Sequence, residues 1–217
     1  MVKIWDIPTR IFHWVLVLLF LFLIYSGRWD DSLMQWHFYC GYTLSGLILF
    51  RVLWGVVGTR YARFCSFVTS PIQGISYLKA TVTGKGKHFY GHNPAGAMMV
   101  VALILLLMLQ VASGLVTSDE IMWEGPFYAS VSDEIASLGA QTHHLVQSIL
   151  VYLVGLHILG VVVHSILFKE KLVTSMVTGT KKDLGDAIPR ESINPIALIL
   201  CLAISAGWVY YLFSLPI

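Results

Sequence analysis

The sequence THHLVQSILVYLVGLHILGVVVHSILF, residues 142–168, decides the fold of this chain. It is long and apolar enough to cross a bilayer as one helix, since a span needs about 20 mostly apolar residues. It also carries the histidines His143, His144, His157 and His164. Ionisable side chains inside a membrane are costly and usually functional. The segment therefore predicts a membrane span that contributes to a functional site.

The spacing of two of these histidines is informative. His143 and His157 are 14 positions apart. That separation is about 1400° of rotation at about 100° per residue, which returns to within about 40° of the same face. The rise between them is about 21 Å, so the imidazoles lie near opposite ends of the span. Such a helix can supply one ligand to each of two metal centres stacked across the membrane.

The composition of the whole chain is that of a membrane protein. Of 217 residues, 57% are hydrophobic and 12% are charged, whereas a soluble domain has about 25% charged residues. The mean hydropathy is +0.74. Five apolar segments are candidate spans: residues 11–25 with their flanks, 37–57, 95–116, 143–168 and 195–213. We therefore expect an all-α integral membrane protein surrounded by lipid, and no nucleic-acid partner.

The charges of the connecting segments predict the orientation. Residues 58–94 contain five basic residues and no acidic one, and residues 169–194 contain five further basic residues. Residues 117–141 contain five acidic residues and no basic one. Positively charged loops remain in the cytoplasm. We therefore expect a multi-pass protein of the bacterial cytoplasmic (inner) membrane, with its N-terminus inside and its C-terminus outside.

Two of these connections have helical patterns of their own. Ser70 and Pro71 precede apolar residues at helical spacing, which predicts a short capped helix at the inner membrane interface. In the outer connection, Val131, Ile135 and Leu138 have the same spacing. They predict a second surface helix.

Depth sorts four histidines into two pairs. His37 and His143 open their helices on the outer side, whereas His13 and His157 lie near the cytoplasmic side. Each pair comes from two different helices, as a cofactor inside a bundle requires. Two facing imidazoles suit the axial positions of a low-spin haem iron, while zinc requires about four ligands at one point. The sequence predicts two stacked b-type haems, an outer one on His37 and His143 and an inner one on His13 and His157.

Two further polar residues have competing interpretations. Arg51 shares the face of His37 at the depth of the inner haem, so it can pair with a haem propionate or shape a quinone site. The alternative is snorkelling toward the inner headgroups, and we favour the first interpretation. His164 lies on the face of His157 at the membrane edge, where it can replace that ligand, contact a quinone or be solvated. We expect His157 to be the ligand, because His13 does not lie in the very first turn.

The remaining histidines and the glycines have weaker signals. His144 points about 100° away from His143, which favours an interfacial residue or a proton carrier. His88 and His92 lie in the inner connection, where solvated side chains are expected. The glycines of the spans can admit a flat macrocycle or serve close helix packing; they are Gly41, Gly46, Gly155 and Gly160.

Several motifs point to a known family. They are WDIPTRIFHW at residues 5–14, FRVLWG at 50–55, GTRYARF at 58–64, NPAGA at 93–97, the LH and HS pairs at 156–157 and 164–165, and MVTGTKK at 176–182. Together, over about residues 4–183, they resemble the prokaryotic cytochrome b561 family, which includes the b-type membrane subunits of nickel–iron hydrogenases.

The resemblance implies both an architecture and a function. It implies a four-helix di-haem domain, residues 1–183, that binds two b haems through His13, His37, His143 and His157. Residues 184–217 then add a cytoplasmic linker and a fifth, C-terminal transmembrane helix beyond that core. Family members pass electrons between the membrane quinone pool and a redox protein outside the membrane.

We therefore expect a respiratory-chain cytochrome b that carries electrons between quinone and a periplasmic partner, either a hydrogenase or a c-type cytochrome. The acidic outer connection favours a basic docking face on that partner, in a homo- or hetero-oligomeric assembly. We expect the electron-transfer subunit of an oxidoreductase complex rather than an enzyme on its own.

Two other functions compete with this one. The first is a stand-alone oxidase that takes electrons from a small species such as superoxide at the outer haem and reduces quinone. The second is a haem-free structural anchor or transporter, which would be colourless. A bound stoichiometric partner favours the electron-transfer subunit, whereas turnover by the isolated chain favours the oxidase.

Overall fold

The computed structural model describes residues 1–84, 87–118, 122–183, 185 and 191–215, and most of them are helical. The elements are β1 (Val2–Lys3), α1 (Ile7–Ser26), α2 (Met34–Val57), α3 (Pro71–Val82), α4 (Pro94–Gly114), α5 (Asp133–Leu167), α6 (Leu172–Thr178), β2 (Thr180–Lys181) and α7 (Pro195–Phe213). Among these, α1, α2, α4, α5 and α7 are long and apolar enough to span a membrane. The predicted all-α membrane fold with five spans is confirmed.

The long helix α5 differs from its prediction. The separate surface helix expected around Ile135 does not form, because α5 runs without a break from Asp133 to Leu167 over 35 residues. Ser132 precedes the helix, and its carbonyl accepts a bond from Ala136 N at 2.9 Å. Asp133 and Glu134 lie in the first turn, where the positive end of the helix dipole stabilises acidic groups. His143 therefore lies three turns inside the helix instead of at its beginning.

The predicted short capped helix is confirmed as α3, while its position at the membrane interface stays a prediction. Ser70 is its N-cap and accepts a bond from Gln73 N, with proline at the next position. Such a cap satisfies a backbone donor that the helix leaves open. The helix buries Gly74 and Tyr77, while Ile72 is 75% exposed. An exposed apolar face on a short capped helix is what a membrane-interface position requires.

The chain forms two compact units. The first unit comprises Met1–Ile11, Arg51–Leu103 and Val154–Ile199. The second unit comprises Phe12–Phe50, Ile104–Leu153 and Leu200–Ile217. The expected division into residues 1–183 and 184–217 follows the chain instead of these units, and it stays a prediction.

In the first unit, the N-terminal segment forms backbone hydrogen bonds with the residues that follow α6. Strands β1 and β2 pair antiparallel, with Val2 opposite Lys181. The backbone N–H groups of Ile4 and Trp5 then donate to the carbonyl of Gly179 at 2.8 and 3.1 Å. Gly179 ends α6 with a φ of 81°, a left-handed conformation that glycine adopts without strain.

A buried carboxylate organises the polar core of the first unit. Asp6 Oδ1 accepts a bond from Thr9 N at 2.7 Å. Its Oδ2 accepts bonds from Trp54 Nε1 at 3.0 Å and from Thr59 Oγ1 at 2.6 Å. These bonds join the beginning of α1 to the end of α2.

In the second unit, the end of α7 packs on α2. Trp208 Nε1 donates to Ser45 Oγ at 2.9 Å, and the rings of Tyr39 and Phe213 stack with centroids 5.1 Å apart. Gly46 lets the helices approach, since a Cβ there would overlap Val209. This part of α7 therefore belongs to the same compact unit as His37.

Candidate functional site

The structure brings His37 and His143 together in the second unit. Their ring centroids are 6.4 Å apart. His37 lies in the first turn of α2, and His143 lies on α5. The sequence predicted this pair, because both residues lie at the outer ends of their predicted spans. Their contact is a feature of the structure, while their ligation of a metal stays a prediction.

Each of these imidazoles is held through Nδ1. His37 Nδ1 lies 3.0 Å from Ser26 Oγ, and His143 Nδ1 lies 3.0 Å from the carbonyl oxygen of Gln110. Ser113 Oγ lies 3.4 Å from the same nitrogen of His143. Histidines that bind metals usually donate from the other ring nitrogen to such acceptors. Both rings therefore have Nε2 available for a ligand.

The distance between the rings fits a haem iron between them. A metal–imidazole nitrogen bond is about 2.0 Å and the nitrogen lies about 1.1 Å from the ring centroid, so two rings on opposite sides of one metal would have centroids about 6.2 Å apart. The observed separation is 6.4 Å. In the described part of the chain, no group of three or more His, Cys, Asp or Glu side chains converges on one point. The pair thus suits a cofactor that brings its own equatorial ligands.

The histidines of the predicted inner pair fall in different units. His13 lies on α1 in the second unit, with its ring 5.1 Å from that of Trp14 in an edge arrangement. His157 lies on α5 in the first unit. Both side chains are partly buried. Their pairing stays a prediction.

Arg51 lies inside the first unit. It is 3% exposed, and its Cζ lies 4.7 Å from the centroid of the Phe64 ring. Gly55 makes room for that ring, because a Cβ there would overlap Phe64. The carboxylate of Asp6 is close enough to act on the charge of Arg51. The guanidinium therefore points into protein and does not snorkel toward headgroups.

His164 lies in an aromatic cluster of the first unit. Its ring is 6.2 Å from that of Tyr77 and nearly parallel to it, at 14°. It is also 5.0 Å from the ring of Phe168. Its Nδ1 is buried without a hydrogen-bond partner among the described residues. Ring contacts on two sides therefore help to hold this histidine in place.

The prediction that the inner-loop histidines are solvated is confirmed for His88 and wrong for His92. His88 is exposed, and it lies 2.8 Å from a carboxylate oxygen of Glu170. The ring of His92 packs against the rings of Trp5 at 4.9 Å and Phe67 at 4.5 Å. These contacts join residues far apart in the chain, Glu170 and Trp5 among them, so the sequence pattern does not show them. His144 is exposed, as expected for an interfacial residue.

Sequence reasoning missed the groups that hold the outer histidines. These are the Ser26 hydroxyl, the Gln110 carbonyl and the Ser113 hydroxyl. A signal for two of them was present, because both serines directly precede a glycine at the end of an apolar span. Asp6 lies in the motif at residues 5–14, but the burial of its carboxylate was not predicted.

Five candidate spans and a pair of partly buried histidines with ring centroids 6.4 Å apart define a helical membrane protein of the b-cytochrome class. The profile of the family described as "Prokaryotic cytochrome b561" matches residues 4–179, and the chain belongs to this family. It is therefore a multi-pass membrane cytochrome b that binds haem b and transfers electrons.

Similar proteins carry a more specific name. Three relatives are each named "Probable Ni/Fe-hydrogenase B-type cytochrome subunit". The one from Bradyrhizobium diazoefficiens is 23% identical over 83% of this chain and 86% of its own length. The one from Rhodobacter capsulatus is 23% identical over 86% and 84%, and that from Azotobacter vinelandii is 26% identical over 82% and 87%. No solved structure matches the chain significantly.

Proposed function

We propose that this chain carries electrons across the bacterial cytoplasmic membrane between a periplasmic redox protein and the quinone pool. The observation that supports this function most directly is the pairing of His37 and His143, whose ring centroids are 6.4 Å apart. Haem b supplies an iron centre that gains or loses one electron without an open coordination site.

The proposed ligand set has an outer and an inner pair. His37 and His143 would hold the outer haem through Nε2, because Ser26 and Gln110 engage their Nδ1 atoms. His13 and His157 would hold the inner haem. Residues 1–183 would form this di-haem domain, and residues 184–217 would add a linker and a further span.

Two residues of the first unit would serve the inner side. Arg51 is a buried cation, which suits a haem propionate or the oxygen of a quinone. His164 has a ring nitrogen without a partner in the described structure, and the rings of Tyr77 and Phe168 flank it. A flat apolar quinone ring would pack against such a surface.

The external partner would dock on an acidic surface. Among the described residues of the second unit, the exposed acidic side chains lie in the connections or in the first turn of α5; they are Asp31, Glu124, Asp133 and Glu134. A partner with a basic face complements them. The names of the relatives support a hydrogenase as this partner, and a c-type cytochrome is the alternative. In this orientation the N-terminus would lie in the cytoplasm and the C-terminus in the periplasm.

A haem count on single variants tests the ligand set. Pyridine-haemochrome assays of the purified chain should give two haems per polypeptide. His37→Ala and His143→Ala should each remove one centre, and both should remove the same spectral component. His13→Ala and His157→Ala should remove the other component. Colourless protein from haem-replete cells, or variants that all keep both haems, would refute the proposal.

A second measurement distinguishes the electron-transfer subunit from the stand-alone oxidase. The chain is purified under mild conditions and assayed for quinone reduction with superoxide as the donor. If the chain is an electron-transfer subunit, the preparation should contain a stoichiometric redox partner, and the isolated chain should show negligible turnover. Full turnover by the isolated chain would establish the oxidase instead.

A further inference from the structure

We propose that the dipeptides Ser26-Gly27 and Ser113-Gly114 are two matched positioning elements of the outer haem site. Each would fix the plane of one axial imidazole, and together they would set the steep angle between the two rings and the potential of that centre. The proposal rests on the ligation of the outer haem by His37 and His143 proposed above.

The two glycines, Gly27 and Gly114, make equivalent contacts with the two histidine rings. A Cβ at Gly27 would lie 2.8 Å from Cε1 of His37, and a Cβ at Gly114 would lie 2.8 Å from Cε1 of His143. Carbon atoms do not approach this closely without a shift, so neither position has room for a side chain. Gly114 is the last residue of α4, and Gly27 directly follows α1. Each ring therefore packs on bare backbone where a neighbouring helix ends.

The serines provide the second part. Ser26 is 0% exposed and Ser113 is 6% exposed. A serine hydroxyl has one hydrogen to donate. Ser26 donates it to the Phe22 carbonyl at 2.9 Å, and Ser113 donates it to the Gln110 carbonyl at 3.0 Å. Both hydroxyls are thereby oriented as acceptors for the N–H at Nδ1 of the neighbouring histidine.

The two elements differ in how close the serine hydroxyl lies to the ring. His37 Nδ1 lies 3.0 Å from the Ser26 hydroxyl, and the Leu23 carbonyl is a further acceptor for this ring. For His143 the Gln110 carbonyl lies at 3.0 Å and the Ser113 hydroxyl at 3.4 Å. An acceptor at Nδ1 makes the imidazole a stronger donor to a metal, which favours the ferric state. The hydroxyl of Ser26 should therefore matter more to the potential than that of Ser113.

The angle between the rings gives the inference its own spectroscopic signature. The planes of His37 and His143 are 70° apart. Axial imidazoles in nearly perpendicular planes donate to different d orbitals of a low-spin iron and leave those orbitals close in energy. The ferric centre then has an unusually anisotropic EPR signal with a large maximum g value. Parallel planes separate the orbitals and lower that value.

The test uses the full-length chain in detergent with both haems bound. The outer-haem EPR signal is identified as the one absent from His37→Ala. Ser26→Ala should raise the midpoint potential of the outer haem in a redox titration, and Ser113→Ala should raise it by a smaller amount. Gly27→Ala and Gly114→Ala should lower the maximum g value of the outer signal or remove the outer haem. The inner-haem signal should be unchanged in all four variants.

Two residues of the same unit provide matched controls. Ser205→Ala removes a buried hydroxyl that has no hydrogen-bond partner in the described structure. Gly207→Ala adds a Cβ with no atom within 4 Å. Both controls should leave the outer-haem signal and potential unchanged.

The outcomes separate this inference from the proposed function. The inference is overturned when His37→Ala loses one haem while Ser26→Ala and Gly27→Ala behave like the controls. A His37→Ala protein that keeps both haems refutes the ligand assignment itself. Ser26→Ala adds no atoms, so it still tests the inference where Gly27→Ala fails to accumulate.

Discussion

The carboxylate of Asp6 and the indole Nε1 of Trp54 are joined by a 3.0 Å hydrogen bond, although 48 positions separate them in the sequence. Both side chains are only 1% exposed. A carboxylate buried to this extent is tolerated because hydrogen-bond donors surround it. It links the first residues of the chain to the end of the helix that carries Arg51.

Replacing Asp6 by alanine should lower the free energy of unfolding by roughly 2–3 kcal/mol, since buried donors on Trp54 and Thr59 lose their acceptor. Asp6→Asn should cost less, because its amide oxygen still accepts one of these bonds. The measurement is the thermal midpoint of the detergent-purified protein. Asp31→Ala, at an exposed position, is the control, and equal midpoints for Asp6→Ala and this control would contradict the prediction.

Gly179→Ala should destabilise the first unit through two separate effects. Its φ of 81° is strained for alanine, and the added Cβ would lie 2.8 Å from the Trp5 carbonyl oxygen. Gly84 has a similar φ of 72° but no atom within 4 Å of its Cβ position. Gly84→Ala should therefore cost only the backbone strain, about 1 kcal/mol, and Gly179→Ala clearly more.

The difference between the thermal midpoints of these two variants isolates the close contact with the N-terminal segment. Greater sensitivity to proteolysis near the N-terminus should accompany Gly179→Ala alone. Equal midpoints would show that the Trp5 contact does not contribute.

Gly46→Ala should destabilise the packing of α7 on α2 by about 1–3 kcal/mol, the usual cost of an overfilled contact. The cause is overlap with Val209, so Gly46→Ala combined with Val209→Ala should recover most of the loss. Thermal midpoints of the two single variants and the double variant give the coupling energy. Haem content should remain at the wild-type level, because neither residue belongs to the proposed ligand set. Absence of rescue would refute this contact.

His164→Ala should retain both haems, while His157→Ala should lose one. The ring of His164 lies among aromatic rings in the last turn of α5, where packing accounts for its position. Pyridine-haemochrome counts on both variants decide the matter, with His144→Ala as an exposed control. Loss of a haem from His164→Ala together with two haems in His157→Ala would move the inner ligand to residue 164.

Local patterns predicted the helical elements well. The apolar segments gave five spans because length and hydropathy suffice to define them, and Ser70 with Pro71 gave α3 because capping is a local interaction. The continuity of α5 was missed. The acidic residues near Ile135 suggested a surface helix separate from the span, although acidic residues are also favourable in the first turn of a helix.

The site was predictable only as far as periodicity extends. The facing of His37 and His143 followed from depth and helical phase, which depend on residue count alone. Their Nδ1 partners on α1 and α4 depend on which helix ends lie beside them. The buried cluster at Asp6 likewise joins residues that only the folded chain brings together, so no pattern within either segment could reveal it.

The length of α5 has a consequence for electron transfer. Its 35 residues extend about 50 Å, whereas the hydrocarbon layer is about 30 Å thick. About 20 Å of the helix must therefore lie outside that layer, and the segment from Asp133 to His143 accounts for about 15 Å of it. In the proposed arrangement, this segment would separate the outer haem from the surface on which an electron donor docks. One helical turn inserted there would lengthen the tunnelling distance by about 5 Å and slow electron entry steeply.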